Sequence, residues 1–341
     1  MTSPATHPHR HALLIIGCGS IGERHLRCFL RTGRAEVTGC DTNPALLEII
    51  RDKYGVRVAQ SWEGELPQAT AVVICTPAPS HIPMAMKALH AGVHVLIEKP
   101  LSHSWESVDE LIDVSKRTHA HSAVAYVMHV YPFLQQARAF IQAGELGPVR
   151  QVVMSSGQPF HRLRPAYART YYRDHRMGGG AIQDALTHSV NWVESVIGPT
   201  DSVICDCAHQ VIPDVEVEDT VHINARSESG ALVSYALNQF QSPNENTITF
   251  NAARGSVRVE FHHKRWGFWR EGDTGWTWQE TPVPDQDTHF TAQANAFLDK
   301  VEGRPSPLCS LEAAAQTLRF NLAALASARL GTRIHCRDIH A

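Results

Sequence analysis

The chain has 341 residues, a length that suits two cores better than one. It is 43% hydrophobic and 19% charged, with a formal net charge of -3. That balance argues against capture of nucleic acid or of an anionic membrane surface, and no stretch approaches the roughly 20 uninterrupted apolar residues of a membrane span.

In chain order, the opening MTSPATHPHRHA has no apolar core ahead of a cleavage site. It reads as a short disordered tail rather than a secretory signal. His7, His9 and His11 lie in it, and without fixed geometry they make a poor metal site. Between 12 and 126, short apolar runs alternate with helical patterns. ALLII (12–16), AEVTGC (35–40), AVVIC (71–75), VHVLI (93–97) and SAVAY (122–126) suit strands covered on both faces. Helices are predicted near 21–32, 44–54, 80–91 and 104–119, with starts at Asn43-Pro44 and at residues 102–104. The alternation predicts a doubly wound parallel sheet.

After about residue 130 the character changes. A predicted helix near 131–143 ends at Gly144, and 149–156 reads as a strand. A long arginine-rich loop leads to Gly178-Gly179-Gly180 and a predicted helix near 181–197. Strands are predicted at 203–208, 219–226, 230–240, 245–252 and 255–261, with a hairpin around 264–279. Alternation such as TVHINAR predicts an antiparallel sheet with one covered face. Helices near 286–302 and 310–330 close the chain. The eight cysteines are Cys18, Cys28, Cys40, Cys75, Cys205, Cys207, Cys309 and Cys336. Several sit in apolar runs as small hydrophobes, and the C-x-C of Cys205 and Cys207 is no zinc framework. No metal is expected, and reduced thiols without a signal predict a cytoplasmic protein.

Gly17-Cys18-Gly19-Ser20-Ile21-Gly22 follows an apolar strand and opens a helix. Glycines there permit a tight turn and close approach of a pyrophosphate to a helix N-terminus. Asp41 lies 19 residues beyond Gly22, just after the second strand. A carboxylate there accepts from ribose hydroxyls and repels a 2′-phosphate, which favours NAD over NADP. The plainer readings are a tight turn and a helix cap. Glu98-Lys99-Pro100 ends the strand at 93–97, the strand end at which doubly wound sheets carry ligands. Asp184 and His188 stand four apart and share a helix face, which Asn191 continues. An ordinary solvated face is the plainer reading of that stripe, but three preceding glycines imply that the helix start approaches another group.

GCGSIGERH, CTPAPSH (75–81), EKP (98–100) and GGGAIQDALTH (178–188) together resemble the Gfo/Idh/MocA family, the glucose–fructose oxidoreductases, inositol dehydrogenases and relatives. VEDTVHINARSESGALVSY and ARGSVRVE resemble that family's C-terminal sheet, so the likeness spans nearly the whole chain. It implies an α/β protein with a Rossmann domain over 1–128. An α+β domain over 129–341, carrying a large open, mostly antiparallel sheet, would serve substrate binding and oligomerisation. It places Lys99, Asp184 and His188 in the catalytic positions. Gly17, Gly19, Ser20, Ile21, Gly22, Asp41, Thr76, Pro77, His81, Glu98 and Lys99 become the cofactor contacts. Lys99, His129, Asp184 and His188 are expected at the substrate. Asn191 departs from the aspartate of many relatives.

The reaction implied passes a hydride between nicotinamide and a secondary alcohol or ketone of a sugar, cyclitol or sugar acid. His188, with an unperturbed pKa of about 6.5, is the natural proton acceptor. Lys99 would stabilise negative charge on the oxygen, and Asp184 would orient His188 or hold a neighbouring hydroxyl. The alternatives are a redox-neutral glycosidase or epimerase that retains NAD, and a non-catalytic sugar-sensing regulator. Between Phe160 and Met177, Arg162, Arg164, Arg169, Arg173 and Arg176 face a single acid, Asp174. Arg164, Tyr167 or Arg173 would then hold an acid group or a dense polyol array, unless these arginines pair within the protein. Trp266, Phe268, Trp269, Trp276 and Trp278 crowd the hairpin, either as sheet packing or as the contact of a homodimer or homotetramer.

Overall fold

The first apolar run forms β1 (His11–Ile16) in a computed structural model that describes residues 10–340 apart from Val283, Pro284 and Gln286. His7 and His9 fall outside the described residues. His11 belongs to the strand rather than to a tail, with its Nε2 3.0 Å from Glu302 Oε1. The chain continues through α1 (Ser20–Arg31), β2 (Ala35–Cys40), α2 (Pro44–Tyr54), β3 (Arg57–Ala59), β4 (Ala71–Ile74), α3 (His81–His90), β5 (His94–Ile97), α4 (Val108–Arg117) and β6 (Ser122–Val124). These six strands form one parallel sheet in the order β3-β2-β1-β4-β5-β6. Every residue of β4 is buried, as two covered faces require. Asn43 caps α2, accepting from the Ala45 and Leu46 amides, and Gly55 ends it in the left-handed conformation.

Two further details depart from the sequence expectation. β3 is a three-residue edge strand, too short to show a period. α4 starts at Val108 rather than near 104, because Trp105 is buried beneath the Arg319 guanidinium, 4.0 Å from the ring centroid, and the chain turns there to place it.

The second half builds α5 (Pro132–Gln142), β7 (Val149–Gly157), the single turn α6 (Phe160–Leu163) and α7 (Thr187–Ile197). Then come β8 (Thr200–Ala208), β9 (Thr220–Ser227), β10 (Leu232–Asn238), β11 (Glu245–Ala252), β12 (Gly255–Glu260), β13 (Arg265–Arg270), β14 (Thr277–Glu280), α8 (Thr288–Val301), α9 (Leu311–Leu330) and β15 (Ile334–His335). The nine strands run β14-β13-β12-β11-β7-β10-β9-β8-β15, and every pairing is antiparallel except β7 with β10. Burial alternates along β9, with Val221, Ile223 and Ala225 inward and His222, Asn224 and Arg226 exposed. The inner face meets Phe133 and Leu134 of α5, Val190 and Trp192 of α7, and Phe320 and Ala323 of α9.

The last two helices return to the first sheet. Ala294, Phe297 and Leu298 of α8 share a core with Leu26 and Phe29 of α1, while Leu311 and Leu318 of α9 pack with the β4–β5 side. In the aromatic hairpin, Trp266 is buried with Nε1 donating to Gln136, and Phe268 stacks on Phe140 of α5 at 4.7 Å. Trp269, Trp276 and Trp278 gather separately, half-buried, with Arg258 over Trp276 and Arg265 over Trp278. All eight cysteines are free. Among the described residues no helix is long and apolar enough to cross a membrane.

Candidate active site

The turn after β1 is shaped by three glycines with different tasks. Gly17 sits at φ +90° against the end of β4, where a Cβ would come within 2.9 Å of the Cys75 carbonyl. A Cβ on Gly22 would overlap the Gly17 carbonyl, so the helix packs on its own turn. Gly19 is exposed, and a Cβ there would meet nothing within 4 Å. α1 therefore starts at Ser20 facing open space, with no side chain capping its first amides. Ser20 and Ile21 stand at that start. An open cradle with uncapped amides at a helix N-terminus fits a pyrophosphate. Asp41 follows β2 and closes the turn from the side: Oδ2 accepts from Cys18 N at 2.8 Å and Oδ1 from Asn43 N at 2.9 Å. Each oxygen keeps a lone pair for a ribose hydroxyl.

At the end of β5, Glu98 points inward. One oxygen lies 2.7 Å from His25 Nε2 of α1 and the other accepts from Lys99 N at 3.0 Å. Burial would raise its pKa, but these bonds hold it below the usual carboxylate value. Glu98 thus ties the helix behind the glycine turn to the backbone of Lys99. Thr76 and exposed Pro77 lie just beyond β4. His81 is fully buried between loops, with Nδ1 2.9 Å from Pro100 O and Nε2 2.7 Å from Thr76 O. Burial depresses its pKa, while the hydrogen bonds to the two carbonyls act in the opposite direction. The Lys99–Pro100 peptide is cis.

Lys99 crosses to the second half of the chain. Its Nζ donates to Asp184 Oδ1 at 2.9 Å and to Asp184 O at 3.0 Å. Asp184 does not stand in regular α-helix: Ile182–Leu186 form a π turn that runs into α7, an irregularity frequent at functional sites. Burial opposes both charges, yet each stabilises the other, raising the Lys99 pKa and lowering that of Asp184. Tyr171 donates to the same Asp184 Oδ1 at 2.7 Å. His188 lies one turn on, edge-on to Tyr126 with centroids 5.9 Å apart, and its buried Nδ1 has no hydrogen-bond partner among the described residues. Burial, then the Lys99 charge, pushes its pKa down to about 3. His188 is therefore a neutral imidazole near pH 7, and Asp184 spends its bonds on Lys99 and Tyr171 rather than on orienting it.

Residues 12–126 match the model of the oxidoreductase family's NAD-binding Rossmann fold, and residues 134–258 match the GFO/IDH/MocA C-terminal domain. The chain belongs to the Gfo/Idh/MocA oxidoreductase family. It is an NAD-dependent oxidoreductase. It is 26% identical to inositol 2-dehydrogenase of Rhizobium meliloti (strain 1021) over 258 residues, 72% of this chain and 74% of that one. The WlbA dehydrogenase from Bordetella pertussis, solved with NADH and UDP-GlcNAcA, is 26% identical, with a TM-score of 0.80 over 96% of this chain and 99% of that one. Levoglucosan dehydrogenase, solved with NADH and levoglucosan, shares the fold at 20% identity, with a TM-score of 0.86 over 96% and 100% of the two chains.

The remaining residues named from the sequence of this Gfo/Idh/MocA protein take varied places. Asn191 is a buried residue of α7, accepting at Oδ1 from His129 Nε2 at 2.7 Å and donating to Thr317 Oγ1 at 2.9 Å. His129 thus faces Asn191 and borders a groove lined by Gln135, Arg138, Gln142 and Trp192. Arg164 and Arg173 are exposed and form no ion pair among the described residues. Arg176 pairs with Asp174 at 2.8 Å. Tyr167 is buried on Phe160 and Tyr172, and its hydroxyl donates to Pro213 O at 2.7 Å. The glycine run meets the group its sequence implies. A Cβ on Gly179 would collide with the Tyr171 and Tyr172 carbonyls, and one on Gly180 with Glu218 and His175. Among the described residues, one set of metal-ligating types converges, Glu260 with His262 and His263, and Glu260 is already paired with Arg265 at 2.7 Å.

Proposed function

We propose that the protein passes a hydride between NAD and a secondary alcohol or ketone of a sugar, cyclitol or sugar acid. The observation that carries this reading is the junction of Lys99 with Asp184, which brings an ammonium, a carboxylate and the neutral His188 together at the end of β5. NAD, when bound, supplies the hydride acceptor or donor. Gly17, Gly19, Ser20, Ile21 and Gly22 would hold its pyrophosphate and Asp41 its adenosine ribose, with Thr76 and Pro77 bordering the crevice. Lys99 has one ammonium hydrogen left for the substrate oxygen and stabilises negative charge growing there. His188 takes the hydroxyl proton during oxidation and returns it during reduction. Because its imidazolium is disfavoured by burial, the proton does not stay on it. Asp184 keeps Lys99 charged and presents an oxygen to a neighbouring hydroxyl.

The test is a panel of sugars, inositols and sugar acids with NAD+, read as NADH absorbance. Net NADH from at least one compound is expected. Tightly retained cofactor with turnover but no NADH would instead show a redox-neutral enzyme, and neither binding nor turnover would sink the reading.

A further inference from the structure

The loop between β7 and the glycine run carries three tyrosines, and only one of them reaches the charged centre. Tyr172 is anchored the other way, fully buried with its hydroxyl on Gln239 Oε1 at 2.5 Å. The backbone beside it is pinned to the glycines, Gly180 N donating to Tyr172 O at 2.9 Å and Gly179 N to Asp174 O at 3.0 Å. With Tyr172 fixed inward and its carbonyl docked on Gly179, Tyr171 is held over Asp184. Its hydroxyl shares Oδ1 with Lys99, while Oδ2 makes no hydrogen bond among the described residues. Tyr171 is 42% exposed, so its ring forms part of the wall between Asp184 and solvent. The carboxylate raises the pKa of this phenol, burial adding to the effect, so the hydroxyl keeps its proton and is a donor.

We infer that Tyr171 is a specificity-determining residue that makes the site select a vicinal diol. The inference rests on the dehydrogenase reading above. Lys99 and His188 take the reacting oxygen. The hydroxyl on the next carbon donates to Asp184 Oδ2 and accepts from Tyr171, whose O–H swings off Oδ1 onto it. A tyrosine hydroxyl that already donates to the carboxylate exchanges one acceptor for another, so it gives up little to engage such a substrate, and it stays on Oδ1 when the second hydroxyl is missing.

The experiment crosses a protein change with a substrate change. Myo-inositol, D-glucose, levoglucosan and methyl α-D-glucoside are screened with NAD+. The best of them is then compared with its analogue lacking the hydroxyl next to the oxidised carbon. Tyr171→Phe is expected to lower kcat/KM for the parent compound by roughly threefold to tenfold, the worth of one hydrogen bond between neutral groups. For the deoxy analogue, wild type and Tyr171→Phe should agree within about twofold. Equal losses on both compounds, or no loss on the parent, would overturn the inference. If none of the four is oxidised, the dehydrogenase reading falls for these compounds. The inference is then judged by thermal unfolding of the NADH-loaded protein with each sugar. A stabilisation present in wild type and absent in Tyr171→Phe upholds it; an equal stabilisation, or none, overturns it.

Discussion

Lys99 Nζ bridges the side chain and the main-chain oxygen of Asp184, at 2.9 and 3.0 Å, and so joins the end of a Rossmann strand to the start of the helix that carries His188. Two domains thereby share one charged centre. Cutting it should abolish chemistry without emptying the cofactor crevice, because the glycine turn and Asp41 are held by separate bonds. Lys99→Met, Asp184→Ala and His188→Ala are each expected to lose roughly 10²–10⁴ in kcat. NADH affinity, followed by fluorescence titration, should stay close to wild type. A variant with near-normal kcat would remove that residue from the mechanism.

His188 sets a pH dependence whose sign follows from its environment. Its pKa falls from the ordinary value near 6.5 to about 3 through burial and then the Lys99 charge. In the unfolded chain the ring takes up a proton near 6.5, while the folded protein resists it. Stability from this group is therefore complete above about pH 6.5 and is lost as pH falls toward about 3. Chemical denaturation at a series of pH values should show wild type losing more stability over that window than His188→Ala. kcat/KM should also lack an acidic limb near 6.5 attributable to this ring. A limb there that disappears in His188→Gln would mean that the imidazole titrates normally.

The parts of the site that the sequence makes legible are those whose chemistry is local. The glycine turn, Asp41 and Lys99 each follow a strand, and strand ends on a parallel sheet share one edge, so reading the strands places the residues. The loop was not legible in that way. Tyr167, Tyr171 and Tyr172 carry the same local signal, and only the docking of carbonyls on Gly179 and the anchoring of Tyr172 by Gln239 turn Tyr171 toward Asp184. The brace of His25 on Glu98 spans 73 positions, and no spacing within either segment announces it. The π turn at Ile182–Leu186 has no composition of its own, and periodicity reads it as helix.

Cofactor choice should depend on Asp41. Its carboxylate stands where a 2′-phosphate would meet like charge, and both oxygens are already oriented by backbone amides. Wild type is expected to favour NAD over NADP in kcat/KM with one substrate. Asp41→Ala should narrow the gap, mostly by weakening NAD. Equal or NADP-favouring values for wild type would remove the proposed role.

The arginine loop divides into a structural part and an open one. Tyr167 is committed to Pro213, and its substitution by Phe should cost stability of about 1 kcal/mol with little change in KM. Arg164 and Arg173 are exposed without carboxylate partners among the described residues, which leaves both forks available to an acidic substrate. Arg164→Ala and Arg173→Ala are therefore expected to raise KM for a carboxylated sugar more than for its neutral counterpart. If neither variant changes KM or kcat for any active compound, the loop serves the fold alone.

The open face of the nine-stranded sheet bears on assembly. Helices cover one side of this sheet, while on the other Val153, Ile204 and Leu232 remain 39%, 39% and 51% exposed. At one end of the sheet the hairpin sends Trp266 and Phe268 inward and keeps Trp269, Trp276 and Trp278 apart from them, each only half-buried. Arg258 and Arg265 lie on two of those rings at 4.7 and 4.0 Å, which fixes aromatic area in place without covering it. Pre-ordered aromatic and arginine side chains beside exposed aliphatics are the composition of a protein interface. A self-associated protein, dimer or tetramer, is expected in light scattering at micromolar concentration. Introducing negative charge at the centre of the face, Val153→Glu with Leu232→Glu, should shift it toward monomer while leaving NADH binding intact. A wild type that scatters as a stable monomer would assign these tryptophans to packing within the hairpin instead.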